Sequence, residues 1–193
     1  MSREHPTTSR EQQILDAALS LFAERSFDGV GVDAIAAKVG VTGSAIYRYF
    51  SSKDEILAAA FQQLTDHLLV RLGDPLDDPR AELARLIDVY VDVTLANPEM
   101  TTVWNREQPA LSQAYQRSLA RRQRLYTDRW TAAVSKVYPG HSHAKVAATV
   151  RAVQSLAMSD ILRPASVRRL DDLADLLKSM MTQALEALAK SPA

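Results

Sequence analysis

Apolar residues recur with the period of an α-helix along almost the whole of this chain. No stretch alternates between apolar and polar residues for long enough to predict a half-buried strand. Each helical segment carries one apolar face, so the segments can bury those faces only against one another. The sequence therefore predicts an all-α fold, which turn-rich breaks divide into about nine helices.

Capping residues and turn pairs mark the expected helix ends. Ser9 with Gln12, and Ser52 with Glu55, have the spacing of a capping box. The pair Pro139-Gly140 is one of several helix-terminating turns. The expected helices run from Ser9 to about residue 27, Asp33–Val39, Thr42–Phe50, Ser52 to about Leu72, Arg80–Ala96, Glu99–Arg106, Pro109–Val137, Ala144–Leu162 and Val167–Ala189.

The composition of the chain bears on its cellular location and on its net charge. The chain has no cysteine, and its first ten residues are polar rather than an apolar secretion signal. No run of about 18 apolar residues is present, so we expect no contact with a membrane and a cytoplasmic location. The 23 cations balance 23 anions, which gives the chain as a whole no electrostatic attraction to nucleic acid.

Motifs for catalysis, metals and cofactors are missing from the sequence. It contains no phosphate-binding glycine loop, no zinc-protease motif and no nucleophile elbow. His141 and His143 flank Ser142 without neighbouring carboxylates or cysteines, which is weak support for a metal site. We therefore expect no catalytic residues, no metal ligands and no cofactor.

The segment GVTGSAIYRYFSSK, residues 40–53, has the pattern of the second half of a helix-turn-helix. Ile46 and Phe50 would be buried, and small or hydrogen-bonding residues would remain outside, as reading a DNA groove requires. Residues 34–53 carry three cations and no acid. From the pattern alone, an ordinary helical hairpin with solvated tyrosines fits equally well. The outward residues are Thr42, Gly43, Ser44, Ala45, Tyr47, Arg48 and Tyr49.

The longer stretch VDAIAAKVGVTGSAIYRYFSSKDEIL, residues 32–57, resembles the amino-terminal signature of TetR-family transcriptional regulators. The resemblance implies a three-helix helix-turn-helix DNA-binding domain over residues 1–52. It implies a helical ligand-binding and dimerisation domain over residues 53–193. It implies that the protein is not an enzyme. It also implies a homodimer that binds a near-palindromic double-stranded DNA operator. The family's usual mode is repression, which a small apolar or acyl-type effector relieves.

The resemblance assigns DNA contacts to individual positions. It implies that Tyr47 and Lys53 contact phosphates, and that Thr42 caps the recognition helix and touches the DNA backbone. Arg48 is the strongest candidate for reading a guanine, since arginine bonds that base in a bidentate manner. Gly31 replaces the family's usual threonine before the second helix, which leaves Asp33 as a substitute cap. The whole expected surface is Thr42, Gly43, Ser44, Ala45, Tyr47, Arg48, Tyr49 and Lys53.

The last two helices carry features of a dimer interface. The final helix has an apolar stripe wider than one neighbouring helix would cover, and the preceding helix has a row of small residues. The family forms a four-helix bundle from these helices, whereas burial within one subunit is the alternative. The expected interface residues are Ala148, Ala152, Leu173, Leu177, Met180 and Ala184.

The middle helices are expected to bind the effector. Their aromatic residues predict an apolar pocket, and Arg122 lies on an apolar face where an unpaired charge is costly. Arg122 is therefore either the anchor of an anionic effector or the partner of Asp88, Asp92 or Glu107. The run from Trp104 to Gln108 loosely resembles that of members that sense acyl compounds. The expected effector residues are Tyr90, Trp104, Asn105, Arg106, Tyr115, Arg122, Tyr126 and Trp130.

Two other classes of protein remain as alternatives at this stage. An all-helical enzyme would have to use scattered polar groups, and the Glu-x-x-His pairs of a di-iron bundle are absent. A helical scaffold that binds only protein would leave the cluster of Tyr47, Arg48 and Lys53 unexplained. A gel-shift experiment with DNA would separate these classes from a DNA-binding regulator.

Overall fold

The computed structural model describes residues 9–159 and 170–190, and within these ranges the regular structure is entirely helical. This confirms the prediction of an all-α fold. None of the described helices is both long and apolar enough to cross a lipid bilayer. The α-helices are α1 Arg10–Arg25, α2 Val32–Lys38, α3 Gly43–Ile46, α4 Lys53–Leu72, α5 Pro79–Ala96, α6 Pro98–Glu107, α7 Gln113–Val137, α8 His143–Met158 and α9 Leu173–Glu186.

Both predicted capping residues hold the start of a helix. The hydroxyl of Ser9 accepts a hydrogen bond from the Gln12 N–H at 3.1 Å, and that of Ser52 accepts one from the Glu55 N–H at 3.0 Å. The return bond of the second box differs from the expected one, because the Glu55 carboxylate accepts from the Ser51 N–H at 2.6 Å. These bonds satisfy N–H groups that a helix start would otherwise leave unpaired.

Several predicted helix ends were wrong. α1 stops at Arg25, where Ser26 has a φ of 67°. α3 stops at Ile46 rather than Phe50. The helix expected from Pro109 begins only at Gln113, because Gln108–Ala110 forms a separate 3-10 turn. α8 ends at Met158 and α9 begins at Leu173; parts of both expected helices lie outside the described residues.

The helices enclose two apolar cores that share α4 and α7. The first core joins α1, α2 and α3 to the first half of α4, to α6 and to the start of α7. The second joins the end of α4 to α5, α7, α8 and α9. Since Phe50 and Ile56 belong to the same core, the expected domain boundary at residue 52 crosses continuous packing; the division there stays a prediction.

A buried carboxylate ties α5 to α7 within the second core. Glu82 is only 5% exposed, and its oxygens accept hydrogen bonds from Arg129 at 2.6 Å and Arg85 at 2.8 Å. The Leu76 N–H, in the loop between α4 and α5, donates to the same carboxylate at 3.0 Å. This network holds the loop, α5 and α7 together.

Candidate nucleic-acid interface and central cavity

A glycine turn sets the angle between α2 and α3. Gly40 has a φ of 71°, and its N–H donates to the Ala37 carbonyl at 3.2 Å. The next N–H, that of Val41, donates to the Ala36 carbonyl at 3.0 Å. These two bonds form a Schellman motif, which requires a residue in the left-handed region and therefore favours glycine.

The short helix α3 has one buried side and one exposed side. Ile46 and Phe50 are 1% and 4% exposed and belong to the first core. Thr42, Ser44, Tyr47, Arg48 and Tyr49 are exposed, whereas Gly43 and Ala45 are half-buried. The exposed side chains therefore form a continuous polar surface with two aromatic rings, which we call the α3 surface.

Two expected roles at the start of α3 need correction. Thr42 occupies the capping position, but its side chain caps no helix N–H and instead lies 3.0 Å from the Ser44 hydroxyl. Asp33 likewise does not cap α2, because Gly31 is the capping residue and no side chain bonds there. A Cβ at Gly43 would lie 2.1 Å from an Asp33 carboxylate oxygen. Any other residue at this position would require the Asp33 side chain to move.

Lys53 is bonded within the protein. Its ammonium donates to the carbonyl oxygens of Phe27 at 2.7 Å and Val30 at 2.9 Å, and lies 4.1 Å from the centre of the Phe27 ring. An ammonium has three donors, so one remains for another acceptor. Lys53 thus stabilises the loop between α1 and α2, a role that the sequence pattern did not reveal.

A narrow apolar cavity of about 40 Å³ lies between the middle helices. Three of the eight expected effector residues line it: Tyr90, Trp104 and Tyr126. Trp130 lies behind Tyr90 in an edge-to-face contact, with 5.9 Å between ring centres. The remaining lining residues, which the sequence reading missed, are Leu64, Thr65, Leu68, Val93, Thr94, Thr101 and Met158.

Both tyrosine hydroxyls at the cavity are neutral at physiological pH. Burial raises the pKa of Tyr126 to about 12. Burial, and secondarily the neighbouring Tyr126, raise the pKa of Tyr90 further. Within the described residues neither hydroxyl makes a hydrogen bond, so both are free to bond a polar group that enters the cavity.

Arg122 does not face this cavity, and its expected internal partners were wrong. Its guanidinium pairs with Asp66 on α4, in a contact that is partly exposed to solvent. The Gln62 side-chain oxygen, in its favoured orientation, accepts a second bond from Arg122 at 3.0 Å. Tyr115 lies beside Arg122 in a separate small recess between α4 and α7.

Asn105 and Arg106 lie away from the cavity as well. Asn105 is exposed. Arg106 pairs with the buried Glu107 at 2.5 Å and donates to the carbonyl oxygens of Phe22 and Ala23 at the end of α1. Arg106 therefore connects α6, which lines the cavity, to the first helix of the amino-terminal core.

The expected dimer residues separate into a buried and an exposed group. Leu173 and Leu177 are 5% and 1% exposed and pack inside their own chain, so they cannot form the surface of an interface. Ala148 and Ala152 are exposed, Ala184 is half-buried and Met180 is 43% exposed. A broad groove between α8 and α9 contains the three alanines. Leu176, at 47% exposure, lies beside Met180 on the outer face of α9. It is one of the residues that widen the apolar stripe in the sequence, although it was not among the expected interface residues.

Comparison with known proteins gives two family matches. Residues 14–60 match the model of bacterial regulatory proteins of the tetR family, and residues 76–160 match a tetracyclin repressor-like C-terminal domain. The chain is 32% identical over 90 residues to the transcriptional activator FasR of Mycolicibacterium smegmatis, which covers 45% of this chain and 41% of FasR. It is 30% identical over 83 residues to the transcriptional repressor KstR2 of Mycobacterium tuberculosis, covering 43% and 42%. The chain thus spans less than half the length of these two relatives.

Solved structures are similar over nearly the whole chain. The ketosteroid regulator KstR2 superimposes with a TM-score of 0.76 over 94% of this chain and 96% of its own, at 19% identity. AibR, solved in complex with isovaleryl coenzyme A and operator DNA, gives 0.75 over 93% and 97%, at 16% identity. At these identities the likeness establishes the fold alone.

Proposed function

The chain belongs to the TetR family of bacterial regulatory proteins, and from this we propose that it is a dimeric transcription regulator whose DNA binding a small effector controls. We propose repression as its mode, which the effector relieves. FasR is named an activator and KstR2 a repressor, so the relatives differ in this respect.

The single observation that carries the proposal is the α3 surface. Its polar side chains and two aromatic rings stand outward because the opposite side of α3 is anchored in the first core. Arg48 is exposed and makes no ion pair within the described residues, so its guanidinium is available for a base edge. The Tyr47 ring is 57% exposed and its hydroxyl suits a phosphate oxygen.

A dimer would bring two α3 surfaces to successive major grooves of a near-palindromic operator. We propose that the groove of small residues on α8 and the exposed Leu176 and Met180 on α9 form its interface. Met180→Glu should therefore convert the dimer into a folded monomer that light scattering detects. Glu186, already exposed at the end of α9, offers a control position, where Glu186→Gln should leave the dimer intact. A wild-type monomer at micromolar concentration would contradict this interface.

Effector binding would act through α6. A cavity of about 40 Å³ is far smaller than the roughly 300–1,000 Å³ of a typical ligand site, so a bound effector must displace the walls. Thr101 and Trp104 belong to α6, and Arg106 of the same helix bonds the end of α1. Displacement of α6 would then reorient the DNA-binding helices, and a coupling of about 1–3 kcal/mol would suffice for 5–150-fold release. AibR, with its acyl coenzyme A ligand, supports an acyl-type effector as the class to test.

Selection from random double-stranded oligonucleotides tests the function. We expect an enriched, two-fold symmetric motif whose binding weakens with salt. Arg48→Ala should relax the preference at one base position by roughly 1–3 kcal/mol. Arg121→Ala, which removes an exposed cation on α7, is the matched control and should leave the motif unchanged. The absence of any enriched motif would refute a sequence-specific regulator.

A further inference from the structure

A second pocket adjoins the central cavity on the other side of Tyr126. It measures about 400 Å³ and lies between α7, α8 and the turn before α7. Gln123, Arg124 and Tyr126 border it from α7, and Arg151 and Gln154 border it from α8. Its lining is more polar than that of the central cavity, about half polar and half apolar, and it contains two cations and no acid.

Two cations and one buried amide of this pocket have no side-chain partner among the described residues, whereas the Thr127 hydroxyl donates to the Gln123 carbonyl oxygen at 2.8 Å. Arg124 and Arg151 form no ion pair within the described residues, whereas Arg71, Arg85 and Arg129 all do. Gln154 is only 9% exposed, and its side-chain nitrogen has no hydrogen-bond partner in the part of the chain that the structure describes. An unpaired buried donor is costly, which suggests that an acceptor from outside the chain completes this arrangement.

Tyr126 connects the two compartments, because its ring borders both of them. On the cavity side the ring meets apolar side chains, and its hydroxyl makes no hydrogen bond within the described part of the chain. A ligand with an apolar body and a charged end would therefore find an apolar environment and a cationic one on opposite sides of a single side chain. The neutral state of Tyr126 fits a position between them.

We propose that the pocket of Arg124, Arg151 and Gln154 binds the oxyanion head group of an amphipathic effector whose apolar part occupies the central cavity. This rests on the proposed function, in which the cavity holds the effector. Two guanidinium groups and an amide N–H match the charge and acceptor number of a phosphate better than those of a carboxylate. The anchor is thus not Arg122, since two residues along a helix correspond to a rotation of about 200°.

The test compares three probes of equal chain length: octyl phosphate, octanoate and 1-octanol. Calorimetry with the full chain measures their affinities for the wild type and for the double variant Arg124→Gln/Arg151→Gln. We expect wild-type affinity to fall from octyl phosphate to octanoate to octanol. In the double variant, affinity for octyl phosphate should fall about tenfold or more, while that for octanol stays unchanged. Arg121→Gln, an unpaired exposed cation on the same helix, is the control and should change neither.

Gln154→Leu provides a second and independent readout. It removes the unpaired amide, so the free protein should become as stable as the wild type or more so, while affinity for octyl phosphate falls. Equal affinity of the wild type for octyl phosphate and octanol would overturn the proposal, as would an unchanged octyl phosphate affinity in the double variant. Oligonucleotide selection on the same proteins distinguishes failure of this inference from failure of the proposed function. A protein that selects a DNA motif but binds octyl phosphate and octanol equally well would refute only this inference.

Discussion

The α3 surface and the central cavity hold their functional side chains in different ways. The α3 surface is built from residues 42–49, and its exposed and buried side chains alternate along one short helix and the turn that follows it. The walls of the cavity come from α4, α5, α6, α7 and α8, and its lining residues range from Leu64 to Met158. A local surface needs only one anchored helix, whereas the cavity exists only when five helices have packed.

The cations of the two regions sharpen this contrast. Lys53 was expected to contact a DNA phosphate, and Arg122 either an effector or an internal carboxylate. Each bonds groups of its own chain. Arg124 and Arg151, which the sequence reading did not select, have no partner among the described residues. The role of a long cationic side chain depends on which acceptors face it, and that is a property of the packed helices.

The largest expected effect is the loss of the buried carboxylate behind the cavity. Glu82→Gln should lower the free energy of unfolding by about 3–5 kcal/mol, because it leaves Arg129, whose side chain is only 15% exposed, without a counter-charge. Urea denaturation measures the loss. Glu24→Gln, at the exposed pair with Arg25, is the control and should cost about 1 kcal/mol or less. A loss below 1 kcal/mol for Glu82→Gln would show that this network does not support the cavity.

The stability difference between the wild type and Glu82→Gln depends on pH. Burial alone would raise the pKa of Glu82, but hydrogen bonds from the Leu76 N–H, Arg129 and Arg85 outweigh it and lower the pKa below the ordinary 4.5. The carboxylate therefore stabilises the fold above about pH 4.5, and this stability is lost as the pH falls through the folded-state pKa. The difference between wild type and Glu82→Gln should be constant from pH 7 to 5 and shrink on further acidification.

The next effect separates the inner and outer faces of α9. Leu177→Ala should lower the free energy of unfolding by about 2–5 kcal/mol, because Leu177 is fully buried and its removal leaves a cavity. Met180→Ala, three residues later on the exposed face, should cost much less in a monomeric background. Thermal unfolding of both variants in a Leu176→Glu background, which should also disrupt the proposed interface, removes the contribution of the dimer. Equal losses at the two positions would mean that the faces of α9 are assigned wrongly.

In the first core, Lys53 should contribute to the free energy of unfolding. Lys53→Met keeps the apolar stem over Phe27 but removes the bonds to two carbonyl oxygens, which should cost about 1–3 kcal/mol of stability. Lys38→Met, which removes an exposed bond to Ser20, is the matched control and should cost about 1 kcal/mol or less. Chemical denaturation measures the loss of stability in both variants. If Lys53→Met is as stable as the wild type, its carbonyl contacts contribute nothing.

The smallest effect is expected at the α3 surface itself. Tyr47→Phe keeps the ring and removes one exposed hydroxyl, so stability should stay within about 0.5 kcal/mol of the wild type. DNA affinity should fall by about 1 kcal/mol, the contribution of one hydrogen bond to phosphate. Fluorescence anisotropy with the selected oligonucleotide measures this change. Tyr49→Phe serves for comparison, and an equal loss at both positions would indicate that the two rings contact DNA alike.

The sequence was informative wherever short-range chemistry decides the structure. The capping residues Ser9 and Ser52 and the glycine turn at Gly40 were predicted correctly, since each acts through bonds to residues within a few positions. The buried side of α3 followed from the same local pattern. The end of α3 and the start of α7 were missed, since α3 stops at Ile46 and α7 begins after Ser112, which occupies its capping position, rather than at Pro109.

The packing partners of each helix could be found only from the tertiary structure. Helical periodicity identified an apolar face on α7 that carries Arg122, and an apolar stripe on α9, but it could not say which neighbour each would meet. Packing placed Arg122 against Asp66, Leu177 inside its own subunit, and Arg124 beside Arg151. Period and capping depend on residues about one turn apart, so sequence alone determines them. Partners about 25 to 60 residues apart are fixed only when the helices pack at defined crossing angles and bury their shared faces.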